Sequence, residues 1–311
     1  MTQHTIGIDI SKDTLDACRL SDGGEQRFAN SKAGFKSLMA WMGQDTQRVI
    51  FEPTGPYHRH LEMALAAAGH AIIKVNPRQA RRFAEATGKL AKTDRLDARM
   101  LARMGTLLEL EPRPVRSKFF NDLKDLHVAR EALIKDRTAA KNRSKSISLP
   151  LLKRQNSLRL AQIERDIIAV DAAVNAAIKV DAELAPRLDI LVSIPGISDV
   201  TAAALITEMP ELGTLDPKQA ASLSGLAPMT RQSGTWKGRS HVQGGRANVR
   251  RILYMPALVA MRFNPDLRAK YTQLTAAGKA PKVAITALMR KLIILANALL
   301  KANRKWVEKT A

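Results

Sequence analysis

The stretch Thr5-Ile6-Gly7-Ile8-Asp9-Ile10 decides how the first part of this 311-residue chain is interpreted. It has the short apolar run of a buried strand, yet a carboxylate, Asp9, lies within it. Burying a lone charge costs several kcal/mol unless a partner or a ligand compensates it. The rest of the sequence must therefore explain why an acid stands at this position.

Strand-like and helix-like segments alternate around this stretch. Two antiparallel neighbours are predicted at 15–20 and 25–29, with Asp22-Gly23-Gly24 as their turn. Further along the chain the pattern predicts a helix at 35–42, a strand at 48–52 before Pro53-Thr54-Gly55-Pro56, a helix at 57–68, and a strand at 71–75 stopped by Asn76-Pro77. Strands that alternate with helices predict an α/β domain with parallel strands in its sheet.

Four acids stand out by their placement: Asp9, Glu52, Asp94 and Asp97. Glu52 ends the second predicted strand, and Asp94 and Asp97 share one face of a helix start because they are three residues apart. Hard divalent cations such as magnesium take oxygen ligands, and two ions about 4 Å apart can clamp a phosphoryl transfer.

A simpler interpretation exists for each acid alone. Thr93 or Asp94 could be a helix N-cap and Asp97 a first-turn acid, while Asp9 and Glu52 could each pair with arginine. The combination favours a site: two strand acids followed by two helix acids is the arrangement of a ribonuclease-H-like nuclease.

The charge of the chain points to a polyanionic partner. Fifty Lys and Arg against 29 Asp and Glu leave a net charge of +21, and neutralising phosphates releases counterions, which drives binding to nucleic acid. Residues 1–112 are nearly balanced, with 16 basic and 13 acidic side chains, whereas 113–165 hold 14 against 5 and 217–265 hold 8 against none. We interpret this as a catalytic core followed by basic binding segments, although solvated faces can look the same.

The chain is predicted to be helical from about residue 116. A heptad seam is formed by Leu160, Ile163, Ile167, Val170, Val174 and Ala177. A similar seam lies upstream, at Leu123, Leu126 and Leu133, but Arg130 and Arg137 interrupt it. Pro150 is predicted to divide the two helices. An antiparallel hairpin or a coiled coil between two subunits satisfies this pattern, and we favour the dimer.

The stretch 191–209 resembles a helix-hairpin-helix, in which Gly196 allows a turn suited to a DNA phosphate; an ordinary helical corner is the alternative.

Several classes of protein are disfavoured by composition. Aromatic residues are 4% of the chain, too few to favour stacking on single-stranded bases. The single cysteine, Cys18, rules out an internal disulfide framework, and one cysteine with six scattered histidines disfavours a zinc site. With no membrane span or signal peptide predicted, we expect a cytoplasmic, nucleoid-associated protein with no membrane partner.

The motifs taken together resemble the IS110 family of DEDD transposases, bacterial insertion-sequence recombinases related to the Piv DNA invertases. The resemblance covers nearly the whole chain. It rests on Ile6-Gly7-Ile8-Asp9-Ile10-Ser11-Lys12, Phe51-Glu52-Pro53-Thr54-Gly55-Pro56-Tyr57, residues 92–102, Ser193-Ile194-Pro195-Gly196-Ile197, 223–228, Gln232-Ser233-Gly234 and 250–257.

The resemblance implies a three-part organisation and a mechanism. It implies a ribonuclease-H-like, Holliday-resolvase-like domain at 1–115, a basic helical, coiled-coil segment at 116–185, and a helical transposase domain at 186–311. Asp9, Glu52, Asp94 and Asp97 would hold Mg²⁺ or Mn²⁺, and Ser233 would attack a DNA phosphate to form a phosphoserine link. A structured bridge RNA would select donor and target DNA, and dimers would pair into tetramers.

The segment around Ser233 agrees with this expectation. A serine hydroxyl needs activation, and the nearest histidine along the chain, His241, is eight residues away, so a metal held by the other domain is a reasonable activator. Basic residues and one glycine are predicted to contact nucleic acid: Gly196, Arg231, Lys237, Arg239, Arg246, Arg250 and Arg251. The alternatives are a metal-dependent Holliday-junction resolvase without a covalent step and a non-catalytic nucleic-acid scaffold.

Overall fold

The protein divides into two compact units, Met1–Ser117 and Lys118–Ala311. The computed structural model describes residues 4–43, 45–46, 48–88, 94–112, 115, 117–230, 232–238 and 240–308, and only the backbone of 94–96, 236 and 237. The three-part division expected from the sequence stays a prediction, because these units are defined by contacts alone.

The first unit is built on a mixed five-stranded sheet. Its strands are β1 (Thr5–Ile10), β2 (Thr14–Arg19), β3 (Glu25–Ala29), β4 (Arg48–Phe51) and β5 (Ile72–Lys74), in the order β3-β2-β1-β4-β5. β2 pairs antiparallel with β1 and β3, whereas β1, β4 and β5 run parallel. The predicted α/β domain with parallel strands is confirmed.

In the part of the first unit that the structure describes, four helices accompany this sheet. They are α1 (Lys32–Met42), α2 (Arg59–Ala67), α3 (Pro77–Ala86) and α4 (Asp94–Leu107). Ile6, Ile8 and Ile10 are buried in a core with Phe35 and Leu38 of α1, while the other face of β1 lies against α4. Two covered faces explain why β1 is apolar almost throughout.

Helix α3 was not predicted. The Asn76-Pro77 pair was interpreted as the end of a strand, but it also begins this helix. The Asn76 side chain accepts a hydrogen bond from the backbone N–H of Arg78 at 2.9 Å, and Pro77 occupies the first turn. Proline is well suited to that position because its missing N–H would have no partner within the helix.

The second unit begins with two long helices, α5 (Lys118–Ser144) and α6 (Pro150–Val180). They pack against each other as an antiparallel hairpin, because Arg130 pairs with Asp171 while Arg137, one to two turns further along α5, pairs with Glu164. The expected break at Pro150 is confirmed. The two arginines that interrupt the upstream seam therefore have acidic partners on α6. The seam of α6 packs against α5 of the same chain.

The described residues of the second unit form seven further helices. They are α7 (Leu184–Val192), α8 (Asp199–Glu208), α9 (Pro217–Leu223), α10 (Ala247–Ile252), α11 (Tyr254–Phe263), α12 (Pro265–Ala276) and α13 (Pro281–Lys301). Between α9 and α10 lie two short ladders, formed by β6 (Pro228–Met229) with β9 (His241–Val242) and by β7 (Gln232–Ser233) with β8 (Trp236–Lys237). The α5–α6 hairpin, α7, α8 and α13 share one apolar core.

Helix α13 is long and apolar enough to cross a membrane, with a mean hydropathy of 1.8 in its most apolar stretch. Half of that stretch is buried within the second unit, where Leu288, Leu292 and Ile293 are inaccessible to solvent. This is the pattern of a central core helix in a folded domain.

Candidate active site

Asp9 and Glu52 lie side by side at the carboxyl ends of neighbouring parallel strands. In the β1–β4 pairing Gly7 is opposite Ile50 and Ile8 is opposite Phe51, so Asp9 and Glu52 follow at the next register position. Residues two apart in a strand share a face. Asp9 therefore lies on the face of Gly7, and an extended chain places Glu52 on the face of Ile50.

Helix α4 covers that same face, and Gly7 shows how closely. A Cβ atom on Gly7 would lie 2.0 Å from the carbonyl oxygen of Ala98 and 2.5 Å from the backbone nitrogen of Ala102. A Cβ on Gly105 would lie 1.5 Å from Cδ1 of Ile50. At Gly7 the strand and helix backbones thus touch, which glycine alone permits, whereas at Gly105 the neighbour is the side chain of Ile50.

The direction of α4 brings its first turn to the strand acids. Thr106 donates a hydrogen bond to Thr5 at 3.3 Å, while Gly7 meets Ala98 and Ala102, so α4 runs opposite to β1. From Gly7 to Asp9 the strand advances about 6.6 Å, which corresponds to roughly four residues of helix. This estimate places Asp9 level with the first turn of α4, which carries Asp94 and Asp97.

The first unit therefore brings the four predicted acid positions, Asp9, Glu52, Asp94 and Asp97, to one end of the sheet, which we call the four-acid corner. Asp9, Glu52 and Asp97 are each partly exposed, so solvent and a ligand can reach them; the side chain of Asp94 lies outside the described residues. Among the side chains that the structure describes, no three Asp, Glu, His or Cys residues are grouped closely enough to hold a metal ion. The metal-ligand assignment stays a prediction.

The corner nevertheless fits a divalent cation in its chemistry. Its donors are carboxylate oxygens, which Mg²⁺ and Mn²⁺ prefer over nitrogen or sulfur. Two come from adjacent strand ends and two from a helix start, and the close contact at Gly7 holds these elements together. A rigid support of this kind is what a site built from several short side chains requires.

Asp16 is an acid near this corner that was not predicted. It is opposite Asp9 in the β1–β2 pairing and only 4% exposed. Arg27 of β3 donates to both of its oxygens, at 2.9 and 3.0 Å. Asp9 and Asp16 pair across the connection between β1 and β2, for which neither a turn nor a register was predicted from the sequence. Its bidentate partner indicates a structural role.

Ser233 belongs to the second unit, on a β-hairpin that extends from the helices. It pairs with Trp236 across a two-residue turn, in which Gly234 has φ = 56°. Before and after this ladder, Pro228 pairs with Val242 and Met229 with His241. We call residues 226–243 the serine arm; within it, positions 231 and 239 lie outside the described residues. Ser233 itself is exposed.

Three of the arginines predicted to bind nucleic acid hold protein groups. Arg246 donates to both carboxylate oxygens of Glu211 at 2.6 and 2.8 Å and to the carbonyl of Glu208 at 2.7 Å. Arg250 donates to the carbonyls of Gly225 and Gly244.

Arg251 forms an ion pair with Glu131 of α5. Gly196 has φ = 102°, and a Cβ there would lie 2.6 Å from the carbonyl oxygen of Pro256, so its conformation is required for packing on α11. Arg231 and Arg239 lie outside the described residues, as does the side chain of Lys237. Nucleic-acid binding by all seven residues stays a prediction.

Comparison with known proteins decides the family. A model described as a transposase, for the DEDD transposases of IS110, matches residues 6–149. A second model, described as transposase IS116/IS110/IS902 family, matches residues 188–272. The pilin gene-inverting protein of Moraxella bovis is 30% identical over 98% of both chains, and that of Moraxella lacunata shows the same identity and coverage.

The chain belongs to the IS110 family of DEDD transposases. An IS110 insertion-element protein of Streptomyces coelicolor is 34% identical over 43% of this chain and 32% of its own length. The transposase is therefore a DNA recombination enzyme that binds DNA, and membership of a DEDD family implies a divalent metal.

Two histidines of the transposase, the partly buried His58 and the buried His127, lie outside the predicted site. His58, in the segment after Glu52, packs on the ring of Phe51 at 6.0 Å between centroids, and burial lowers its pKa. His127 of α5 lies 3.4 Å from the carboxylate of Glu208, and burial lowers its pKa as well. Both rings are thus held towards the neutral form, which suits packing.

Proposed function

We propose that this transposase cuts and rejoins DNA through attack of the Ser233 hydroxyl on a phosphodiester. The attacking Oγ loses its proton and forms a bond to phosphorus, while the bond from phosphorus to a sugar oxygen breaks and that oxygen takes up a proton. The product is a phosphoserine link. A sugar hydroxyl of another strand then reverses these changes, so rejoining requires no external energy source.

The observation that supports this proposal is the position of Ser233 at the tip of the serine arm. The hydroxyl is exposed, in a segment from 217 to 265 that contains eight basic residues and no acid. An exposed serine in a basic arm can approach a phosphate that a buried serine cannot reach. Basic side chains nearby would also stabilise the charge of a five-coordinate phosphorus.

The four-acid corner has a complementary role in this proposal. Asp9, Glu52, Asp94 and Asp97 would hold Mg²⁺ or Mn²⁺, and the bound cation would supply Lewis-acid stabilisation of the phosphoryl oxygens. The acids belong to the first unit and Ser233 to the second. The family resemblance supports a synaptic tetramer made of two dimers, in which the serine of one subunit meets the acids of another.

The α5–α6 hairpin offers surfaces for two further proposed contacts, one with a guide RNA and one with a second subunit. Six exposed basic side chains lie near its turn, within a few helical turns of one another: Lys141, Arg143, Lys145, Lys153, Arg154 and Arg159. This basic tip suits a folded guide RNA that selects donor and target DNA. Leu149, Leu151 and Leu158 are each at least 60% exposed nearby, and such apolar side chains suit a contact with a second subunit.

The experiment is a strand-transfer assay with purified protein, the RNA flanking its element, donor and target DNA, and magnesium. Wild type is compared with Ser233→Ala and Asp9→Asn, and the matched controls are Ser240→Ala, an exposed serine of the same arm, and Asp45→Asn, an exposed acid. We expect a covalent protein–DNA adduct that requires RNA, metal, Ser233 and Asp9 and that survives both control substitutions.

One observation favours a second candidate, a resolvase-like nuclease. The four-acid corner is formed entirely within the first unit, and a hydrolytic enzyme would need only that corner, its metal and water. Metal-dependent cleavage that persists in Ser233→Ala without any adduct would overturn the serine mechanism in favour of this alternative.

A further inference from the structure

The serine arm leaves the helical body through a narrow neck formed by glycines. A Cβ on Gly245 would lie 2.2 Å from the backbone nitrogen and 2.5 Å from Cα of Gly225. A Cβ on Gly225 would lie 2.3 Å from the carbonyl oxygen of Gly244. The incoming and outgoing backbones are therefore in direct contact, and all three glycines have positive φ, between 58° and 75°.

The side chain of Arg250 joins the two sides of this neck. Nη1 of Arg250 donates to the carbonyl oxygen of Gly225, on the incoming strand, at 3.2 Å and to that of Gly244, on the outgoing strand, at 2.9 Å. Arg250 lies on α10, whose residue Val249 is fully buried in the core. The guanidinium thus connects both strands of the neck to the body of the second unit.

The arm beyond the neck has little packing of its own to orient it. Pro228, Met229, Gln232 and Ser233 are exposed, and each of its two ladders contains only two residue pairs. Two-stranded ribbons of this length are marginally stable in water. From Gly225 to Ser233 the arm spans up to roughly 26 Å, so a small rotation at the neck displaces the serine by several ångströms.

We infer that Arg250 is a positioning residue for Ser233, which it orients by closing the neck of the serine arm rather than by binding a phosphate. This inference rests on the proposed role of Ser233. It assigns Arg250 a role different from the nucleic-acid contact that the sequence predicts. Because a misplacement of about 1 Å can slow an enzyme roughly 100-fold, loss of the clamp should act on the rate of the chemical step.

The test compares three variants of the full-length protein with wild type. Arg250→Gln removes the clamp, Gly245→Ala forces the neck open without changing any charge, and Arg268→Gln is the matched control. Arg268 is an exposed arginine of α12 that is not among the predicted nucleic-acid contacts. Adduct formation is measured at saturating DNA, and DNA affinity is measured at several salt concentrations.

We expect Arg250→Gln and Gly245→Ala each to slow adduct formation about 100-fold, and the double variant to be no slower than either. DNA affinity and its salt dependence should stay as in wild type, and Arg268→Gln should form the adduct at the wild-type rate. A contact with phosphate would instead weaken binding and lower the salt slope by about 1. That result, together with a normal rate in Gly245→Ala, would overturn the inference.

A second measurement reports on the arm without any reaction. In a Trp41→Phe/Trp306→Phe background, Trp236 is the only tryptophan, and it pairs with Ser233 in the tip ladder. Arg250→Gln should increase the nanosecond motion of Trp236 in time-resolved fluorescence anisotropy, and Arg268→Gln should not. Unchanged motion in Arg250→Gln would contradict the clamp.

The two proposals fail in different ways. Wild-type activity in Ser233→Ala would remove the proposed function whatever the anisotropy of Trp236. A requirement for Ser233 combined with wild-type adduct rates in Arg250→Gln and Gly245→Ala would leave the function in place and overturn the positioning role.

Discussion

Gly7 of β1 lies directly against Ala98 of α4, so closely that a methyl group on Gly7 would lie 2.0 Å from the Ala98 carbonyl oxygen. This contact fixes the position along β1 at which α4 crosses the strand. The crossing in turn places the first turn of α4, with Asp94 and Asp97, beside Asp9. A residue with no side chain thus determines whether four acids can act together.

Substitution of Gly7 by alanine should therefore disrupt both stability and the site. The clashing atoms are backbone, which rotamer changes cannot move, so we expect a loss of about 3 kcal/mol in the free energy of unfolding. Urea denaturation measures this loss, and DNA cleavage should fall with it. Gly24→Ala is the control, because a Cβ there comes no closer than 3.2 Å to its neighbours, the first being the side-chain oxygen of Asp22. Wild-type stability of Gly7→Ala would contradict the crossing geometry.

Metal binding should stabilise the first unit in a way that separates Asp9 from Asp16. A ligand that binds only the folded state raises its stability in proportion to the logarithm of ligand concentration. The melting temperature of wild type should rise with Mn²⁺, and that rise should disappear in Asp9→Asn and Glu52→Gln.

Asp16→Asn supplies the contrast. Its carboxylate is engaged by Arg27, a side chain that is 54% exposed, so its loss should cost about 1 kcal/mol and leave the response to Mn²⁺ intact. Loss of the Mn²⁺ response in Asp16→Asn would instead make Asp16 a member of the metal site.

The stability of the second unit should fall in mild acid because of His127. Burial lowers the pKa of this histidine below its ordinary value of 6.5. The unfolded chain then binds the proton more readily, so the stabilisation is complete above pH 6.5 and is lost as the pH falls towards the folded-state pKa. One such group contributes a slope of at most about 1.4 kcal/mol per pH unit.

Denaturation curves between pH 8 and pH 5 test this expectation. His127→Gln should flatten the dependence below pH 6.5, while His241→Gln, at an exposed position of the serine arm, should leave the slope as in wild type. An unchanged slope in His127→Gln would mean that another group is responsible.

The α5–α6 hairpin should depend on the pairing of Arg130 with Asp171. Both side chains are less than a quarter exposed, so the pair is protected from much of the solvent screening that weakens surface ion pairs. A double-mutant cycle with Arg130→Met and Asp171→Asn should yield a coupling energy of about 1 kcal/mol. Additive effects of the two substitutions would show that the pair contributes nothing to closing the hairpin.

The first unit was largely predictable from sequence because its signals are local. Apolar runs bounded by turns identified the five strands, and parallel pairing of β1 with β4 then brings Asp9 and Glu52 together without further information. The miss was α3, since Asn76-Pro77 is both a reasonable end for a strand and a strong beginning for a helix. Local chemistry alone does not choose between these two uses.

The surroundings of Ser233 were much less predictable. The serine arm has ladders of two residues each, too short for an alternating pattern. The farthest partners of Arg246, Arg250 and Arg251 are 38, 25 and 120 residues away along the chain, so no local pattern reveals them. A run of arginines without acids is interpreted from sequence as a nucleic-acid surface, whereas in the fold these three hold other parts of the protein.

The central claim is tested most directly by locating the covalent link itself. The transposase is incubated with its flanking RNA, donor and target DNA and magnesium, then denatured, digested with nuclease and protease, and analysed by mass spectrometry. We predict a nucleotide phosphate on the peptide that contains Ser233, absent from Asp9→Asn. Cleaved DNA with no modified peptide, or a nucleotide attached to another residue, would contradict the serine mechanism.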